Sequence, residues 1–147
     1  MFLRILAVCL IGAPLMAQVA QPKLNDLEIR KHQMIDTAQT IQASDLDRLA
    51  KTAAAAVAAL QKASDAFNVN LSDPSPQAML RMGSLSKAKA AADQKNTQAQ
   101  AALVKAQARA AQLQGQADDW EATVLESHDA DSAKYKVDWA NGTVVQK

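Results

Sequence analysis

AALVKAQARAAQLQGQADDW, residues 101–120, decides the fold of this chain. Alanine is its commonest residue, glutamine and charge fill most of the rest, and a tryptophan closes it. Leu103, Ala106, Ala110, Leu113, Ala117 and Trp120 recur in alternating steps of three and four. That spacing marks the packed face of a coiled-coil helix. The periodicity and alanine's high helix propensity argue against a disordered linker. A membrane-surface helix would need bulkier apolar residues and a more basic polar face. The stretch is therefore one wall of a helical pair.

The same steps run back through Ala99, Asn96, Ala92, Lys89, Leu85 and Met82 to Ala78, and forward to Val124. Ser75-Pro76 supplies the N-cap, with proline at the first helical position. Upstream lies NVNLSDPSPQ (68–77), whose Asn, Ser, Asp and Pro predict a turn over residues 68–76. Before it, no Gly or Pro interrupts Leu24 to Phe67, and Asn25 with Glu28 reads as a capping box. Leu24, Leu27, Met34, Ala38 and Ile41 form one apolar run, and Leu46, Leu49, Ala53, Ala56, Leu60, Ala63 and Phe67 form another. The runs are out of phase by one position near Ser44-Asp45, which predicts a continuous helix with a local irregularity. A break capped by Ser44, giving a three-helix bundle, is the alternative.

The expected fold class is all-α: a long antiparallel two-helix coiled-coil hairpin over residues 24–128. Centring the turn on Ser72 sets Leu60 against Leu85, Ile41 against Leu103, and Leu24 with Leu27 against Trp120. That register brings Asp118, Asp119, Glu121 and Glu126 near Lys23, Arg30 and Lys31. It also sets His32 nearest residue 112, which separates it from His128 by well over ~15 Å of helical rise. Alanine contributes little buried area per contact, Lys89 and Asn96 put polar groups on the seam, and Gly83 and Gly115 interrupt the second helix. So thin a hairpin calls for a further surface: another copy, a partner, or a fold-back. In residues 129–147, Tyr135, Val137 and Trp139 alternate, and Asn141-Gly142 precedes Thr143-Val144-Val145. This predicts a short C-terminal β-hairpin.

The first residues bear on compartment. MFLR carries one charge at Arg4, ILAVCLIGAPLM is apolar, and Ala17 is small. The layout predicts a secretory signal peptide over residues 1–17, with Ala20 as the second cleavage point and residues 18–23 as a flexible N-terminus. Cys9, the only cysteine, would leave with it, so no disulfide framework is expected. Removal of Arg4 leaves 15 basic residues against 15 acidic. Such a balance supplies no global field toward nucleic acid or anionic lipid.

No serine elbow, phosphate loop or HExxH is present. The expectation is no catalytic residue, no enzyme activity and no cofactor. Glu126, His128, Asp129 and Asp131 are weak metal candidates, for which a solvated acidic helix end is the simpler account. Met79, Arg81, Met82 and Lys87 mark the loop tip as a docking surface. Tyr135 and Trp139 are the candidate anchors, because aromatics dominate interface energetics. The chain is thus expected to be a non-catalytic exported bacterial protein of the periplasm or cell envelope. It would work through a protein partner or homo-oligomer in assembly, scaffolding, chaperone-like or secretion-accessory roles. A membrane-anchored spacer with an uncleaved N-terminus is the alternative, and a metal or small-ligand binder near His128 a weaker one.

Overall fold

The computed structural model describes residues 21–147. The expected signal segment and residues 18–20 lie outside them. Two helices, α1 (Asp26–Leu71) and α2 (Pro76–Ser127), pack antiparallel along their length. A two-stranded antiparallel sheet follows, β1 (Tyr135–Asp138) and β2 (Thr143–Gln146), with Val137 paired to Val144. At 46 and 52 residues, the helices are about 70 and 80 Å long.

Local chemistry fixes the helix ends. The Asn25 side chain accepts from the Glu28 N–H at 2.9 Å, and the Glu28 carboxylate accepts from the Asn25 N–H at 2.8 Å. This is the predicted capping box. Ser75 caps α2 by accepting from the Ala78 N–H, with Pro76 next. The turn is shorter than predicted. Asn68–Leu71 remain helical, because the Asn70 amide donates to the Ala78 carbonyl at 2.7 Å and Ser72 closes the last turn onto Asn68.

That extension moves the register. Gln42 donates to the Ala106 carbonyl at 3.0 Å, Gln39 meets Gln114 at 3.3 Å, and Lys31 lies over the Trp120 ring at 3.7 Å. Each α1 residue therefore faces α2 further toward its C-terminus than predicted. Leu24 does join Trp120 in one cluster, but Leu27 does not.

The seam of α2 follows its sequence pattern from Ala78 to Val124 without a slip, every third or fourth residue being buried or half-buried. On α1 the second run, Leu46 to Phe67, is likewise inward. Of the first run only Leu24 and Ala38 are inward. Leu27, Met34 and Ile41 are 61–78 % exposed. The inward positions are instead Glu28, His32, Ile35, Gln39 and Gln42, which are in phase with Leu46 and Leu49. So α1 contains neither a break nor a slip at Ser44, and the three-helix alternative does not apply. It keeps one phase and turns polar side chains inward, where Glu28, Gln39 and Gln42 find partners on α2 and His32 stacks on Trp139. Among the described residues, the Asn96 Oδ1 on the seam is a buried oxygen with no partner.

The predicted ion pairs between the two helix ends do not form. Lys31 covers Trp120, Glu121 accepts from the Val137 N–H, and Asp118 accepts from Gln114. Among the described residues the ion pairs are Arg48–Asp45, Lys51–Asp47 and Lys134–Asp131, and His128 lies within hydrogen-bond distance of Glu28.

The core sits at the open end, opposite the turn. Leu24, Val124, Leu125, Val137 and Val144 are buried together, with Ile29, Trp120, Ala130 and Trp139 against them. A lone hairpin is barely stable in water, and here it has an apolar face to rest on. It also gains a third edge. The Val144 N–H donates to the Pro22 carbonyl at 3.1 Å and the Leu24 N–H to the Gly142 carbonyl at 2.9 Å. Pro22 and Lys23 are thus held along β2 rather than loose, which corrects the expected flexible segment for its described part.

The hairpin connection is a four-residue loop, 139–142, and not a two-residue Asn-Gly turn. Asp138 accepts from the Asn141 backbone and side-chain amides, which hold its carboxyl below the usual aspartate range. Gly142 has φ +63, and an added Cβ would lie 3.3 Å from the Ile29 side chain. Gly142→Ala is expected to destabilise the chain by about 1–2 kcal/mol, read as a lowered melting temperature. An unchanged midpoint would show that this loop is not pinned to α1.

Candidate functional site

Two surfaces stand out, one at each end of the rod. At the turn, Val69, Leu71, Met79 and Leu80 are 62–85 % exposed. The backbone beneath them is fixed by Asn70, Ser72, Ser75 and Asp73, whose carboxylate accepts from the Ser75 N–H at 2.9 Å. Four large apolar side chains thus stand on a rigid support. Arg81 and Lys87 are exposed nearby, whereas Met82, expected to be exposed beside Met79, is half-buried because it lies on the seam. Lys89 also turns onto the seam, 5.1 Å from the Phe67 ring centroid. Val69, Leu71 and Leu80 are not marked by the sequence, whose turn residues span the first two.

At the open end, Glu28 is a buried carboxylate. Ser127 Oγ donates to its Oε1 at 3.2 Å, and His128 Nε2 lies 3.3 Å from its Oε2. Burial pushes the Glu28 pKa up, but the Asn25 N–H, the His128 hydrogen bond and charge, and Ser127 outweigh it. The carboxyl is held below its ordinary value. Ser127 and His128 each address a different oxygen of one carboxylate. No relay from histidine to hydroxyl is built.

The shifted register brings both histidines to this end, correcting their predicted separation. His128 meets Glu28, and His32, one turn further along α1, stacks on Trp139 with ring centroids 4.0 Å apart and 5° between planes. Trp139 is half-buried by that stack, and Tyr135 is 37 % exposed. Glu126, Asp129 and Asp131 do not converge with His128. Asp131 caps the Ala133 N–H and pairs with Lys134. Among the described residues no three His, Cys, Asp or Glu side chains are placed to hold a metal ion. Among them, too, no helix is long and apolar enough to cross a membrane.

No family model, no curated protein and no solved structure matches this chain.

Proposed function

We propose that this chain is a non-catalytic, exported helical protein of the bacterial periplasm or cell envelope that docks a protein partner through its turn. The role would be assembly, scaffolding, chaperone-like or secretion-accessory. The exposed apolar tip of Val69, Leu71, Met79 and Leu80, flanked by Arg81 and Lys87, carries this proposal. Large apolar side chains left exposed on both sides of one turn offer surface that a partner could cover. The long, thin hairpin holds that tip at the end opposite the core of Leu24, Val124, Leu125, Val137 and Val144.

Site-specific photo-crosslinking in the producing cell tests it. A photoreactive residue at Met79 or Leu80 is expected to give discrete adducts, and one at Ala54, exposed at mid-helix, to give none. Equal adducts at all three positions, or none at any, would sink it.

A second arrangement has support from one observation. Pro22–Leu24 enter the fold at the open end, opposite the tip. An uncleaved N-terminal anchor would therefore hold the tip at the far end of the rod. N-terminal sequencing separates the two: cleavage after Ala17 or Ala20 ends the anchored version.

A further inference from the structure

We propose that the outward face of α2 pairs with the α2 of a second copy, antiparallel, about a two-fold axis at Gly115. The inference deepens the assembly role proposed above by naming one partner, and rests on it.

Ala101, Ala108, Gly115 and Ala122 recur every seven residues, so they share one side of α2, and all are exposed. Gly115 is otherwise unexplained. A glycine inside a helix is less favourable than alanine by up to ~1 kcal/mol. Nothing lies within 4 Å of where its Cβ would be. A partner backbone approaching closely is what a glycine there accommodates.

Charge sets the direction. Residues 81–109 carry six basic side chains against one acidic, and residues 118–131 carry six acidic and no Lys or Arg. Lys105 and Arg109 lie before Gly115 on the flank of the outward face, where they line the groove shared with Gln42 and Asp45 of α1, and Asp119 and Glu126 lie after it nearer the centre of the face. None of these four joins an ion pair among the described residues. Parallel pairing would stack Lys105 on Lys105 and Asp119 on Asp119. Antiparallel pairing about Gly115 sets Lys105 beside Glu126 of the second copy, Arg109 within one turn of Asp119, and Ala108 on Ala122. It is isologous and self-closing, so it yields a dimer and not a filament. The C-terminal sheet does not obstruct it, because β1 meets α2 through Glu121 and the buried Val124–Leu125 side.

Exposed ion pairs are individually weak and screened by salt. Light scattering on the purified full chain is therefore expected to show dimer at low salt and a shift toward monomer at high salt. Lys105→Glu with Arg109→Glu makes the face wholly acidic, and Asp119→Lys with Glu126→Lys makes it wholly basic. Each double variant alone is expected to dimerise at least about ten-fold more weakly, with unchanged helical circular dichroism. An equimolar mixture of the two is expected to restore the dimer. In a Cys9→Ser background, Gly115→Cys is expected to form an oxidised cross-linked dimer and Ala101→Cys is not. A monomer at low salt overturns the pairing. So does a dimer indifferent to charge reversal, a mixture that stays apart, or cross-linking at position 101 as efficient as at 115. The tip lies outside this face, so the two proposals fail separately. A monomer that still gives tip adducts overturns the pairing alone, and a charge-dependent dimer without tip adducts overturns tip docking alone.

Discussion

Val124→Asp is expected to lower the melting temperature by about 10 °C or more. Val124 is the most deeply buried large side chain among the described residues, at 1 % exposure. It joins α2 to Leu24, Val137 and Val144 in the core cluster at the open end. A carboxylate there would have no counter-charge, and an uncompensated buried charge costs about 3–5 kcal/mol. The loss should be local. Both tryptophans, Trp120 and Trp139, pack against this cluster, so their fluorescence reports on the open end alone. Far-UV circular dichroism is dominated by the long helices. Tryptophan emission is expected to shift red at a temperature where most helical signal remains. Val57→Asp, at a half-exposed position at mid-helix, is expected to change the midpoint by less than about 3 °C. Equal effects at the two positions would show that the rod unfolds as one unit with no privileged core.

The second large effect is at Glu28. Glu28→Ala removes half of the capping box and leaves the Asn25 N–H, Ser127 Oγ and His128 Nε2 without their shared acceptor. The combined loss is expected to be about 2–3 kcal/mol, read from denaturant or thermal unfolding. The sign of the pH dependence follows from the lowered pKa. The folded carboxyl sits below the ordinary value of 4.5, so its ionised form stabilises the fold fully above that value. The contribution is lost as pH falls from there through the folded pKa. Wild type is expected to lose stability over this acid window more steeply than Glu28→Gln, which cannot ionise. Parallel acid curves for the two proteins would rule out Glu28 as a stabilising carboxylate.

Legibility in the sequence divides at Leu46. From Leu46 to Phe67, and along α2 from Ala78 to Val124, the apolar steps are the seam. There, alanine and leucine oppose alanine and leucine, and burial alone orients the helix. Below Leu46 the apolar residues mislead. Leu27, Met34 and Ile41 repeat at seven yet face solvent, because the helix cannot change phase without breaking its own hydrogen bonds. The longer stretch above fixes that phase. Glu28, Gln39 and Gln42 are consequently turned inward, where acceptors and donors on α2 satisfy them. Such partners are more than sixty residues away in sequence, and no local pattern announces them.

The candidate surfaces divide in the same way. Met79, Arg81 and Lys87 were legible as an exposed tip, because they follow a Pro-capped helix start. Val69 and Leu71 were not, since Asn70 keeps their turn helical only once Ala78 is beside it. His32 against Trp139 was equally hidden, since it depends on a register set by the length of that turn.

Two long helices, their caps, their antiparallel return and a strand pair at the C-terminus are all legible in local sequence. Each of these follows from periodicity, capping chemistry and turn residues acting within a few positions. The register, the burial of Glu28, the strand-like seat of Pro22–Leu24 and the gathering of the core at the open end arise only in the folded chain. Those depend on hydrogen bonds and packing between segments far apart in the chain, and a polar side chain's preference for inside or outside exists only once its partner is in place.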